Sequence, residues 1–127
     1  MKTLVLDTNA LLHFLLDDIP LQTKEVKRKI KLAESGQIKL IIPQIVIFEI
    51  VFALTKEYDF KIEGVAEVLR KILLNRYLLI QDRDIFEQAL KIFSNKLSLA
   101  DCFIYFFAKE NKAELFTFDK SLQKLSE

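Results

Sequence analysis

The sequence predicts an α/β fold, a single domain with a mostly parallel sheet of about four strands flanked by helices. Short apolar runs alternate along the chain with longer segments of helical periodicity. The short runs are almost continuously apolar, as expected when helices cover both faces of a parallel sheet. No repeat or linker interrupts the 127 residues, so residues 1–127 are predicted to form one domain.

Each element is predicted from its local pattern. Ser35 and Gly36 end one helical segment, and Pro43 suits the first turn of another. The predicted strands are 2–6, 39–42, 77–80 and 114–118. The predicted helices are 10–16, 22–34 after Pro20, 43 to about 57, 62–75, 84–94, 99–111 and a short one from 120.

Composition excludes several classes of protein. One Cys rules out an internal disulfide, and one Cys with one His cannot form a structural zinc site. The net charge of +1 provides no overall attraction to nucleic acid or membrane. The most apolar stretch, 38–54, contains charged residues and is shorter than the roughly 20 residues that span a bilayer. No secretory signal is visible, and we expect a cytoplasmic protein without membrane contact.

Four acidic residues from distant parts of the chain are predicted to converge. Asp7 follows the first predicted strand and Asp119 follows the last, so both should emerge at the carboxyl edge of the sheet. Glu49 lies in the helix after the second strand. Asp101 lies in the first turn of the helix that begins at Leu99.

Three of these acids also have a purely structural interpretation. Asp7 or Thr8 could cap the first helix, and Asp119 the last. Ser98 and Asp101 have the spacing of a capping box. Glu49 fits this interpretation less well, and a lone glutamate that protrudes into solvent is the less favoured interpretation of it. Its helical neighbours are apolar and include no Lys or Arg, so burial of its charge would require a cation or hydrogen-bond donors.

Clustered carboxylates indicate a metal centre. Such groups repel one another unless a cation neutralises them, and hard oxygen ligands favour Mg²⁺ or Mn²⁺. Sites of this kind use metal ions to activate water and to stabilise in-line displacement at phosphorus. The acidic set therefore points to metal-assisted displacement at phosphorus, which needs no nucleophilic side chain.

The same residues carry a resemblance to a known family. The chain resembles the PIN-domain ribonucleases, and at this length the VapC-type toxins of toxin–antitoxin pairs, through Asp7-Thr8-Asn9, Glu49, Leu99-Ala100-Asp101 and Thr117-Phe118-Asp119. The resemblance covers nearly the whole chain in order. One departure is the absence of the glycine that often follows the last acidic motif.

The resemblance implies an endoribonuclease dependent on Mg²⁺ or Mn²⁺. It further implies an RNA substrate, a homodimer and inhibition by a protein antitoxin. It assigns Thr8 and Asn9 to the orientation of Asp7 or its water network, and Thr117 to a similar role beside Asp119. The acidic metal site that it implies comprises Asp7, Glu49, Asp101 and Asp119.

Contact with RNA would also need cations. A basic stripe at helical spacing consists of Lys24, Lys27, Arg28 and Lys31. A solvated helix face is the favoured interpretation, and phosphate contact is the alternative. His13 and Cys102 are predicted to be structural.

Two other functions compete with the nuclease. The first is a non-catalytic binding protein on the same scaffold. The second is an Asp-nucleophile phosphatase or a receiver domain, with Asp7 as the nucleophile or phosphorylated residue. The phosphatase would need an aspartate at the position of Asn9, and the receiver a lysine after a late strand, where this chain has Asp119.

Overall fold

The computed structural model describes residues 1–126, which confirm the α/β class. The chain divides into two compact units, Met1–Gln81 and Asp82–Glu127. The first unit contains strands and helices, whereas the described part of the second is helical. The prediction that residues 1–127 form one domain stays a prediction.

A parallel sheet organises the first unit. Its strands are β1 (Lys2–Val5), β2 (Ile38–Ile42) and β3 (Leu78–Ile80), in the order β1-β2-β3. Lys2 pairs with Ile38, and Leu40 pairs with Leu78. Because all three strands run in one direction, their carboxyl ends share one edge of the sheet.

Four helices connect these strands. They are α1 (Thr8–Leu16) and α2 (Pro20–Glu34) between β1 and β2, and α3 (Gln44–Lys56) and α4 (Ile62–Leu74) between β2 and β3. Helix α2 packs on β2 and α4 on β3, while α1 packs on α2 and α3. The core side chains with no solvent exposure include Leu11, Leu40, Ile50, Leu54 and Val65.

Local sequence explains the helix ends in this unit. Asp17 adopts a left-handed conformation (φ 52°) at the end of α1, and Gly36 (φ 78°) follows α2. Pro20 is the first residue of α2, where a missing N–H costs nothing, so the helix begins two residues before the predicted start. Pro43 is the N-cap of α3.

The sheet departs from the prediction that both faces are covered. Burial alternates along β2 and β3: Leu40, Ile42 and Leu78 are buried, whereas Lys39 and Leu79 are exposed. The apolar residues of the strands thus do not all enter the core. The prediction failed because a continuous apolar run gives the composition of a strand but does not show what packs on each of its faces. Most of β1 is exposed as well.

The second unit is built from three helices in its described residues. They are α5 (Arg83–Ile92), α6 (Leu99–Glu110) and α7 (Lys120–Leu125). The rings of Phe86 and Phe103 join α5 to α6, with centroids 4.9 Å apart. The Tyr105 hydroxyl donates to the Leu125 carbonyl at 3.1 Å and ties α6 to α7.

The predicted strand at 114–118 is wrong, so the described sheet has three strands and not four. Phe116 and Phe118 are 85% and 86% exposed. The polar groups around them bond locally: the Gln123 Nε2 donates to the Thr117 carbonyl at 2.9 Å. A β-strand requires backbone hydrogen bonds to a neighbouring strand, and residues 114–118 form no such pairing in the structure.

None of the helices formed by residues 1–126 is long and apolar enough to cross a membrane.

Candidate active site

Asp7 lies at the carboxyl edge of the sheet, directly after β1 and Leu6. Its extended backbone (φ −85°, ψ 177°) makes it the N-cap of α1. The Ala10 N–H donates to Asp7 Oδ1 at 2.9 Å. The capping interpretation of Asp7 is therefore confirmed, and the bond fixes the orientation of its exposed carboxylate.

Glu49 is tied to the residue next to Asp7. The Thr8 hydroxyl donates to Glu49 Oε1 at 2.6 Å, across 41 residues of sequence. Thr8 is the first residue of α1 and Glu49 lies in the middle of α3. The predicted role of Thr8 was to orient Asp7 or a water network; its observed partner is Glu49.

The expectation that Glu49 lies on a buried apolar face is wrong. Glu49 is exposed, and so are Ile45 and Phe52 on the same face of α3, at 59% and 61%. Helical spacing predicted an apolar face correctly, but no described residue covers it fully. Solvation of this carboxylate removes the desolvation cost that seemed to demand a cation.

Asp7 and Glu49 line one cavity of about 610 Å³ in the first unit. Thr8 and Asn9 also line it, so the Asp7-Thr8-Asn9 motif and Glu49 share a single open pocket. The remaining lining residues are Leu12, Phe48, Phe52, Ala53 and Glu57. The pocket therefore combines carboxylate, hydroxyl and amide groups with an aromatic wall.

Asp101 lies in the first turn of α6 and is half-buried. Its backbone N–H donates to the Ser98 hydroxyl at 3.1 Å, which confirms Ser98 as the N-cap. Its charge also acts on Cys102, which has no solvent exposure. Burial first, and then the negative charge of Asp101, raise the pKa of the Cys102 thiol to about 11.

Asp119 is the N-cap of α7. Its Oδ1 accepts from the Leu122 N–H at 3.0 Å, so the capping interpretation holds here too. The Asp119 N–H in turn donates to the Thr117 hydroxyl at 3.0 Å. Thr117 thus orients the backbone of Asp119, which is itself exposed.

Within residues 1–126, no group of three or more His, Cys, Asp or Glu side chains is placed so that it could hold a metal ion. The structure brings Asp7 and Glu49 to one cavity. Convergence of these two with Asp101 and Asp119 stays a prediction.

A comparison with protein families decides the identity of the fold. The family model described as PIN domain matches residues 4–127. The chain belongs to the PIN-domain family. No curated protein and no solved structure matches it significantly.

PIN domains are typically metal-dependent nucleases, and Mg²⁺ is the metal they typically use. The first unit of this PIN domain has donor groups that suit such an ion, because carboxylate and amide oxygens are the ligands Mg²⁺ prefers. Asp7 and Glu49 each use one oxygen in an internal hydrogen bond. The second oxygen of each carboxylate fits a role as metal ligand.

The basic stripe on α2 of the PIN domain faces solvent, since Lys24, Lys27, Arg28 and Lys31 are all exposed. Arg28 bonds to Glu25 at 2.8 Å, and this hydrogen bond holds the pKa of Glu25 below its usual value. The favoured interpretation, a solvated helix face, agrees with this exposure.

Sequence reasoning missed two features of this PIN domain. His13 Nδ1 lies 2.8 Å from Asp18 Oδ1, a pair that closes the turn between α1 and α2. The position of Asp18 just beyond α1 could have suggested this partner. Phe48 and Phe52 line the acidic cavity. They lie four residues apart, one on each side of Glu49 in the sequence, and this helical spacing was the available indication.

Proposed function

We propose that this PIN-domain protein is a metal-dependent endoribonuclease that hydrolyses RNA phosphodiester bonds. One observation carries the proposal. The carboxylates of Asp7 and Glu49 line a single open cavity at the carboxyl edge of the sheet, and hydrogen bonds from Ala10 and Thr8 orient them. The family match spans residues 4–127, and the resemblance adds Asp101 and Asp119 to the set.

The ion would be Mg²⁺ or Mn²⁺, held by Asp7 and Glu49 together with Asp101 and Asp119. When bound, such an ion neutralises phosphate charge and lowers the pKa of water, which supplies a nucleophile at neutral pH. The chain itself supplies fixed carboxylates. Asn9 offers an amide at the same cavity, where it could hydrogen-bond to the substrate or to water.

Within the cavity, Thr8 keeps Glu49 in place. A glutamate on an exposed helix face samples several rotamers, and the 2.6 Å bond from the Thr8 hydroxyl selects one of them. The Ala10 N–H does the same for Asp7. Both acids are therefore oriented before any ligand arrives, which lowers the cost of assembling a metal site.

The biological role that we propose is that of the toxin in a toxin–antitoxin pair. The partners would be an RNA substrate, a protein antitoxin and a second copy of the chain in a homodimer. The support is the motif resemblance over nearly the whole chain. Co-expression with the product of the neighbouring reading frame, followed by co-purification, tests the antitoxin.

The experiment for the catalytic proposal compares the parent protein with Asp7→Asn. Asparagine caps a helix about as well as aspartate, so the variant should fold with a free energy of unfolding within about 0.5 kcal/mol of the parent. It should lose Mn²⁺-dependent cleavage of single-stranded RNA. Its melting temperature should also rise less when Mn²⁺ is added, because ligand stabilisation follows affinity for the folded state.

Asp17→Asn is the matched control. Asp17 is exposed at the other end of α1, in a left-handed conformation that asparagine tolerates. This variant should keep both cleavage and the metal-induced shift. Equal shifts for parent and Asp7→Asn, with cleavage intact, would contradict the assignment of Asp7.

The ends of the RNA products test the chemistry. Attack by water leaves a 5′-phosphate and a 3′-hydroxyl, which a 3′-end labelling assay detects. A 2′,3′-cyclic phosphate would instead show attack by the ribose hydroxyl, and hydrolysis by water would then be the wrong mechanism.

The second candidate function is a non-catalytic binding protein on the PIN scaffold. The observation in its favour is that Asp7 and Asp119 both cap helices, so each has a structural reason to be acidic. It predicts RNA binding without cleavage in either metal. Membership of the PIN family argues against the phosphatase and the receiver domain.

A further inference from the structure

An aromatic wall borders the acidic cavity. Phe48 and Phe52 line it together with Asp7 and Glu49. The two rings are four residues apart on α3, so they lie on one face of that helix. Phe52 is 61% exposed, although burial of a phenylalanine is worth about 1.5–3 kcal/mol.

The surroundings of this wall disfavour a protein partner. Three of the residues that line the cavity are acidic: Asp7, Glu49 and Glu57. The buried centre of a protein–protein interface is depleted of charge, and carboxylates enclosed there without partners would be costly. An exposed ring can instead stack an unpaired base of RNA, and a cation held by the carboxylates would offset their repulsion of the phosphates.

We propose that Phe52, on the wall that it shares with Phe48, forms a stacking platform for an unpaired nucleobase of the RNA substrate. A base can lie on a phenylalanine ring only when it is free of a duplex. The proposal rests on the nuclease function above and names a residue that positions its RNA substrate.

A cation lies at the far end of the same helix face. Lys56 is exposed and follows Phe52 by four residues, one turn further along α3. A phosphate that flanks the stacked base can reach this ammonium group. This face of α3 therefore presents, in order along the helix, the carboxylate of Glu49, the ring of Phe52 and the ammonium group of Lys56.

The test measures binding and not cleavage. A fluorescein-labelled single-stranded RNA decamer of mixed sequence is titrated with the full chain in Ca²⁺, a cation that binds carboxylates and offsets their repulsion of phosphate. A gel confirms that the RNA stays intact, and anisotropy reports binding. Phe52→Ala should weaken binding by about 5- to 150-fold, the range expected for loss of one base–aromatic stack. Phe52→Tyr keeps a ring and should bind like the parent.

Two controls isolate stacking. Tyr77 is 47% exposed and precedes β3, at the opposite edge of the sheet from Asp7, so Tyr77→Ala should leave binding unchanged. A decamer of the same length whose nucleotides lack bases should bind the parent and Phe52→Ala equally, since only its phosphates can be contacted.

Several results would overturn the proposal. They are no binding of the decamer by the parent, equal binding by parent and Phe52→Ala, or an equal loss of affinity for the abasic decamer. A change of oligomeric state in Phe52→Ala, with RNA affinity unchanged, would assign the ring to a protein interface. If Phe52 governs binding but the parent does not cleave RNA in Mn²⁺, the nuclease proposal fails and the platform stands.

Discussion

Thr8 is the residue through which α1 and α3 meet at the candidate site. Its hydroxyl donates to Glu49 at 2.6 Å, and hydrogen bonds to charged groups contribute about 1.5–3 kcal/mol in favourable cases. Both groups are accessible to solvent, so we expect Thr8→Val to cost about 1 kcal/mol of the free energy of unfolding. Urea denaturation of Thr8→Val and Thr8→Ser measures this, and the serine variant should retain most of the stability.

The same two variants also test whether Thr8 positions the Glu49 carboxylate for catalysis. If Thr8 holds Glu49 for catalysis, Thr8→Val should lower the rate of Mn²⁺-dependent RNA cleavage, whereas Thr8→Ser restores it. A cleavage rate that is identical in all three proteins would show that the Thr8–Glu49 bond stabilises the fold alone.

Single residues could be predicted where their interactions are local. Asp7 and Asp119 accept from N–H groups three residues ahead, so capping could be inferred from residue type and position. The Thr8–Glu49 bond joins residues 41 positions apart, and no local pattern encodes it. The exposure of Glu49 was missed because helical spacing describes a face but not its neighbours.

Helix α3 has one face in the core and one face in solvent, so substitutions in this helix can compare the contribution of each face to stability. Leu54 has no solvent exposure, and Phe52 is 61% exposed. We expect Leu54→Ala to cost about 2–5 kcal/mol, through lost burial and a residual cavity. Phe52→Ala should change the free energy of unfolding by less than about 1 kcal/mol, because its ring is largely solvated already.

Urea unfolding of both variants followed by circular dichroism measures the difference. A large loss of stability in Phe52→Ala would mean that the ring is buried in solution, and would remove the basis for the stacking platform.

At the scale of elements, helices were predicted more accurately than strands. The helix at 62–75 was placed within one residue of α4 because its apolar residues recur at helical spacing and bury one face. The segment 114–118 has the composition of a strand, yet forms none. Its neighbours bond to side chains such as Gln123, and strand formation depends on a partner that local sequence does not specify.

For the molecule as a whole, the thiol of Cys102 can be used as a probe of unfolding. The thiol has no solvent exposure, and its pKa is raised to about 11, so the reactive thiolate is scarce at pH 8 in the folded state. We expect iodoacetamide to label the native protein at least about 100-fold more slowly than the protein in urea. Mass spectrometry across a urea series gives the labelling curve.

That curve also tests the prediction that residues 1–127 form one domain. Chains of this size usually unfold in a single cooperative transition. The midpoint for Cys102 labelling, which reports on the second unit, should then coincide with the midpoint of the circular dichroism signal. Separated midpoints would show that the two units unfold independently.

The parallel pairing of β1 with β2 also has a consequence for the order of events during synthesis. Lys2 pairs with Ile38, so β1 leaves the ribosome well ahead of its neighbour. At about 5–20 residues per second, the strand waits roughly 2–8 seconds for β2 to emerge after it. During that interval α1 and α2 can form, since helices close within microseconds. The nascent chain therefore holds helices first and acquires its sheet only after Ile42 has emerged.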